Sequence, residues 1–191
     1  MIDSPQTGRG FGEDISRILV SAGEIEARVL DIARQLTDEY GQRELTIVPV
    51  LTGSLIFLAD LVRQLPIKMR IDVMSVTSYP GKSTRSQGPV ISFVPSVDFS
   101  GRDVLILDDI LDSGQTLKAI IDYVAGQSPA SIRSCVLLEK ARPDVPDRLR
   151  ADYVGFSLPD EFVVGYGLDY NHLYRNLPDI CVLDDSVYKE Q

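Results

Sequence analysis

The chain is short of several things, and each shortage removes a class of protein. Only two cysteines occur in 191 residues, Cys135 and Cys181. Both sit in apolar runs (SCVLL and ICVL), so they read as buried thiols rather than a disulfide framework, which fits a reducing cytoplasm. No apolar run approaches the roughly 20 residues that span a bilayer. The opening MIDSPQTGRGFGED is polar and lacks the apolar core of a secretory signal. The sequence therefore predicts a soluble protein with no membrane partner. Positive charge is also scarce, 19 Lys and Arg against 28 Asp and Glu, for a net charge of −9. Such a chain repels a phosphate polymer, which argues against DNA or RNA as partner. A local loop and a metal ion can still take a small phosphorylated ligand. There is no GxxxxGK[ST] and hence no Walker-type P-loop, and no internal repeat or low-complexity tract.

What is present is ordinary globular material, 44% hydrophobic and 25% charged, long enough for one domain spanning 1–191. Ser21 with Glu24 three residues on reads as a capping box. Apolar Ile25, Val29, Ile32, Leu36 and Tyr40 then continue an amphipathic helix that Gly41 closes. LTIVPVL (45–51) is a strand, and Ser54 can cap a second helix over 55–65 that Pro66 stops. Another strand runs from Ile71 to Val76. Residues 78–89, SYPGKSTRSQGP, are rich in Gly, Pro and Ser and read as a long loop, slack or lid. VLIL (104–107) is a strand, followed by a helix with Leu117, Ile120, Ile121 and Val124 on one face, ending near Gly126. CVLL (135–138), YVGF (153–156), FVVG (162–165) and ICVL (180–183) complete the strands. Strands alternating with amphipathic helices predict an α/β fold, a mostly parallel sheet flanked by helices.

The chemistry concentrates in VLILDDILDSGQTL (104–117). A buried strand ends at Leu107 and three carboxylates follow, Asp108, Asp109 and Asp112. Ser113, Gly114 and Thr116 then lead into a helix. Ligands of open α/β sheets bind beyond the carboxyl ends of the strands. A Ser-Gly-Thr loop before a helix offers N–H groups and hydroxyls to a phosphate. Carboxylates beside such a loop make sense if they accept from sugar hydroxyls or help hold Mg²⁺. Two other readings compete. DDILD matches the DDxxD pattern of prenyl-transferring synthases, but there the acids lie on a helix and here an apolar strand feeds into them. An acidic turn capping a helix is the structural alternative.

This stretch resembles the phosphoribosyl-pyrophosphate signature of the type I phosphoribosyltransferases: an apolar strand, two acids, two apolar residues, then D-[ST]-G-x-T. LTGSLIFLADLV (51–62), MSVTSY (74–79), LLEK (137–140) and DYVGFSLPDEFVVGYGLDYNHLYRNLPDICVL (152–183) are similar to the hypoxanthine-guanine branch of that family, from about residue 11 onward. The resemblance implies the family's fold, with a small hood built from the C-terminal and N-terminal segments. It implies transfer of a 5-phosphoribosyl group from its 1-pyrophosphate to N9 of hypoxanthine or guanine, giving IMP or GMP, with Mg²⁺ as cofactor. It also implies a homodimer or homotetramer. By position, Asp108 and Asp109 take the ribose hydroxyls and Asp112 faces purine N7 as general acid or base. Ser113, Gly114, Gln115 and Thr116 cradle the 5-phosphate. Lys140 donates to the purine 6-oxygen, Phe162 stacks on the base, and the main chain of Val163 reads its edge. Thr52, Gly53 and Arg175 hold pyrophosphate, Ser78 and Tyr79 begin the lid, and Asp169 joins Asp108 and Asp109 as metal ligands. His172, the only histidine, is given no role. Thr52 departs from the lysine of many relatives, Ser113 from threonine and Asp108 from glutamate. Two rivals remain at this point, an enzyme preferring xanthine and guanine, and a nucleic-acid-binding regulator that keeps the fold.

Overall fold

Ser21 and Glu24 form both halves of a capping box, the Ser21 N–H donating to Glu24 Oε2 at 2.8 Å and the Glu24 N–H to Ser21 Oγ at 3.4 Å. That satisfies the orphan donors at the start of α1 (Ala22–Tyr40). Ile25, Val29, Ile32, Leu36 and Tyr40 are all buried on one face, and Gly41 ends the helix at a φ of 56°. The computed structural model describes residues 12–78, 89–142 and 149–188.

The remaining elements are β1 (Ile15–Val20), β2 (Leu45–Leu51), α2 (Leu55–Gln64), β3 (Met69–Ile71), β4 (Met74–Ser78), β5 (Pro89–Phe93), β6 (Asp103–Leu111), α3 (Gln115–Ala125), β7 (Ser131–Lys140), β8 (Tyr153–Leu158), β9 (Val163–Val164), β10 (Ile180–Leu183) and α4 (Asp185–Tyr188). The main sheet runs β5-β4-β2-β6-β7-β8, with β3 also beside β2. All its pairs are parallel except β4 with β5. A continuous apolar strand buries both faces, and β6 does so. Leu105 and Leu107 join the core under α1 and α2, while Val104 and Ile106 join the core under α3. Each such side chain contributes about 1.5–3 kcal/mol by burial. A separate antiparallel sheet, β1-β10-β9, forms the hood from both ends of the chain. Among the described residues no helix is long and apolar enough to cross a membrane.

Several local expectations are corrected. The strand expected to end at Leu107 continues through the acids to Leu111, because β7 supplies partners as far as Leu111↔Glu139. The strand expected from Ile71 to Val76 is two strands, β3 and β4, interrupted where Asp72 accepts N–H bonds from Val73, Ser96 and Val97. Ser54 precedes α2 without capping it, since its hydroxyl donates back to the Val50 carbonyl at 2.6 Å. FVVG narrows to the two-residue β9. Ser78 and Pro89, the ends of the expected loop, are partners across β4 and β5. Residues 79–88, including Tyr79, lie outside the described residues.

Candidate active site

Parallel pairing brings four strand ends to one edge: Leu51 of β2 leading into Thr52 and Gly53, Ser78 of β4, the acids of β6, and Lys140 of β7. At its centre Asp108 is 7% exposed and Asp109 is half-buried. Burial, and for Asp108 the neighbouring Asp109 charge, push both carboxyls above the usual range. Their main-chain bonds are local: the Asp109 N–H donates to Asp108 Oδ1 at 3.0 Å and the Ile110 N–H to Asp109 Oδ1 at 2.8 Å. Among the described residues neither acid makes an ion pair, although the Arg175 charge pulls Asp109 partway back down.

Gly53 is pressed against this pair. A Cβ built on it would lie 1.6 Å from Asp109 Oδ2, so only glycine fits. The peptide before Thr52 is cis, and the Thr52 side chain is exposed. From the hood side, Gly167 backs onto the Gly53 carbonyl. Arg175 donates to the Gly167 carbonyl at 2.5 Å and pairs with Asp169 at 2.6 Å. The loop holding these groups is folded tightly, with Tyr166, Asn171, His172 and Tyr174 all at positive φ, a conformation costing about 1–2 kcal/mol per residue. Asp169 also accepts from the His172 N–H at 2.8 Å, while the His172 side chain is 95% exposed.

The helix beyond the acids begins differently from α1. Gly114 holds the N-cap of α3 at a φ of 82°, and among the described residues no side chain caps the helix. Ser113 Oγ accepts only a 3.4 Å bond from the Gln115 N–H. The start of α3 thus suits an anion better than that of α1, whose Ala22 and Glu24 N–H groups already donate to Asp179 and Ser21. Asp112 is half-buried and pairs with Arg142 at 2.5 Å. Lys140, its side chain 14% exposed, reaches Asp160 at 3.2 Å. Phe162 is half-buried between Tyr170 and Tyr188, and Val163 is buried opposite Val182 of β10.

Asp108, Asp109, Gly53, Asp169 and Arg175 are thus linked through direct contacts or charge, and Asp112, Lys140 and the Ser113–Thr116 loop stand at the same strand ends. Phe162 and Val163 belong to the hood. Sequence reasoning missed Arg142, Asp160 and Tyr188. Arg142 follows Lys140 by two residues and had that as its only signal, Asp160 lay within the SLPDEF stretch, and Tyr188 had none.

Ligands of open parallel sheets bind at this edge. Residues 18–171 match the model of the phosphoribosyl transferase domain, and the chain belongs to that family. It is 43% identical to the hypoxanthine-guanine phosphoribosyltransferase of Bacillus subtilis over 178 residues, covering 92% of this chain and 97% of that protein. It is 42% identical to the bifunctional protein TilS/HprT of Listeria innocua, covering 93% of this chain but only 27% of that protein. A crystal structure of a hypoxanthine phosphoribosyltransferase from Staphylococcus aureus superposes with a TM-score of 0.85 at 39% identity, covering 92% of this chain and 95% of that one.

Proposed function

We propose that this chain is a purine-salvage enzyme that moves the 5-phosphoribosyl group from phosphoribosyl pyrophosphate to N9 of hypoxanthine or guanine, releasing pyrophosphate. The observation that carries the reading is the acid pair of buried Asp108 and half-buried Asp109, without an ion-pair partner or a helix-capping side chain nearby among the described residues. Two carboxylates kept there suit the 2- and 3-hydroxyls of a ribose, which donate to them. The N–H groups and hydroxyls from Ser113 to Thr116 suit its 5-phosphate. Gly53, exposed Thr52 and Arg175 face the pyrophosphate. Lys140 donates to the purine 6-oxygen, the main chain of Val163 reads the ring edge, and Phe162 stacks on it. Asp112 exchanges a proton with N7 as the glycosidic bond forms. Ser78 and Tyr79 complete the proposed set as the start of a covering segment.

Magnesium takes one or two carboxylates and leaves its other positions to water and phosphate oxygens. Among the described residues no three His, Cys, Asp or Glu side chains converge into a metal cage, and the donor set fits an ion that arrives on pyrophosphate. Asp108, Asp109 and Asp169 are the residues that would hold it. When bound, it neutralises charge gathering on the leaving pyrophosphate.

The same reading includes a dimer or tetramer, for which exposed Leu55, Phe93 and Val94 offer apolar surface. It also includes a cytoplasmic location, consistent with the free buried thiols Cys135 and Cys181. The test is direct: purified protein with phosphoribosyl pyrophosphate, Mg²⁺ and hypoxanthine or guanine, followed by chromatography for IMP or GMP. Nucleotide forming at enzymatic rates is expected, and no turnover with either base would overturn the assignment.

A further inference from the structure

Phe162 does not stand alone. Tyr188 of α4 stacks on it with centroids 4.9 Å apart and planes 26° apart. Tyr170 meets it at 90° with centroids 5.5 Å apart. The rings belong to the hood core around Val164 and Leu183, whereas Val163 turns to the opposite core with Leu168 and Val182. The C-terminal turn is also tied to Phe162 by its backbone, since the Leu183 N–H donates to the Phe162 carbonyl at 3.0 Å. Bonds within the turn include the Val187 N–H to the Asp184 carbonyl at 3.0 Å, the Ser186 N–H to Asp184 Oδ1 at 3.0 Å, and the Tyr188 hydroxyl to Asp185 Oδ1 at 2.6 Å. Tyr188 is therefore held where it lies.

We propose that Tyr188 is a positioning residue for the base: it covers one face of Phe162 and fixes the ring so that the other face receives the purine. The inference rests on the reading of Phe162 as the stacking residue. Rotation about the last torsion of a phenylalanine is broad when nothing packs against the ring. A ring already stacked on one side loses little further freedom when a base arrives, and preorganisation of that kind appears as affinity. The position of α4 at the end of the described chain thus gives the C-terminal turn a part in base recognition without touching the base.

The full chain carrying Tyr188→Ala should show a hypoxanthine KM raised about two- to tenfold, the worth of one aromatic stack, with the KM for phosphoribosyl pyrophosphate and kcat little changed. Tyr188→Phe keeps the ring, loses the hydroxyl bond, and should restore the wild-type KM. Tyr188→Leu keeps apolar volume without a ring face and should behave as the alanine variant does, which separates stacking from folding. The chain contains no tryptophan, so Phe162→Trp creates a single reporter whose fluorescence should change when base and donor bind. If that signal responds while Tyr188→Ala and Tyr188→Leu leave the hypoxanthine KM unchanged, the brace is wrong and the stacking role of Phe162 stands. A lowered KM in those variants would mean that Tyr188 occupies the base's own place, and that also overturns the proposal. A reporter indifferent to saturating base and donor removes the reading of Phe162 and the proposal with it.

Discussion

Acids occur at both ends of the parallel sheet, and one pair at the carboxyl end is treated unlike those at the amino end. At the amino ends every acid named here has a cation or hydroxyl. Asp103 at the start of β6 pairs with Arg43 at 3.0 Å and accepts from Ser131. Glu39 takes the Tyr153 hydroxyl and Arg133, and Asp152 takes the Ser134 N–H at 2.8 Å together with Arg133. Five and six residues further along β6, Asp108 and Asp109 crowd each other instead. The glycine beside them admits no side chain, and the hood loop above them holds four non-glycine residues at positive φ. Charges that cancel within the protein make a stable end. An acid pair crowded against itself, at the expense of stability, suits the ligand role proposed above.

Changes at the site's proposed contacts should therefore cost activity, and changes at the amino ends only stability. The largest effect belongs to the base itself. Lys140 is a donor only, and adenine presents a donor where hypoxanthine presents an acceptor. Steady-state rates should therefore favour hypoxanthine by ~10⁴-fold, and adenine turnover within tenfold of it would remove Lys140 from its role. Asp112→Asn should lower kcat by about 10²–10⁴ with donor binding nearly intact, read by steady-state kinetics beside calorimetric titration of the donor. Gly53→Ala should drop kcat/KM by about 10²-fold, since the new methyl must displace the Asp109 carboxylate.

At the opposite end Tyr153→Phe should cost about 1 kcal/mol in denaturant unfolding and leave kcat/KM unchanged. It also has a pH signature. The Tyr153 hydroxyl holds the Glu39 carboxyl below its ordinary range, with Arg133 assisting. The unfolded chain therefore binds a proton on this group before the folded one does. The stabilisation is complete above the ordinary carboxylate range and is lost as pH falls through the lowered value. In Tyr153→Phe the acid-side decline of stability should be shallower. A loss of activity in this variant would break the contrast between the two ends. The smallest effect is expected at Thr52, where Thr52→Lys adds a solvated charge near the proposed pyrophosphate position. The donor KM should fall about two- to fivefold, as one exposed ion pair allows.

Much of the fold was legible because its signals are local. The capping box of α1 and the two-sided apolar runs of β2, β6 and β7 need nothing beyond neighbouring residues. What the sequence hid depends on partners far away in the chain. β1 (ISRILV) and β5 (PVISF) are short strands with exposed residues, made by β10 and β4 beside them. The acids of β6 look like a loop until β7 is seen to extend the ladder past them. The acid pair, the proposed phosphate loop and the proposed base contacts are read from a motif at a strand end and from resemblance. The Asp112–Arg142 pair and the ring of Tyr188 on Phe162 are not, because no spacing in the sequence encodes a contact across 26 or more residues.

An Asp108–Asp109 pair kept for a ligand at the expense of the fold makes Asp108→Asn the decisive variant. Asparagine keeps the size and the acceptor for the Asp109 N–H but removes the crowded charge. Urea unfolding without ligand and calorimetric titration with phosphoribosyl pyrophosphate and Mg²⁺ should be run on the same two proteins. The unfolding midpoint at neutral pH should be at least as high as that of the unaltered chain, with donor affinity reduced about tenfold or more, as loss of a charged hydrogen-bond acceptor entails. A variant that unfolds more easily yet binds the donor as well as before would make the pair a structural element and contradict the account.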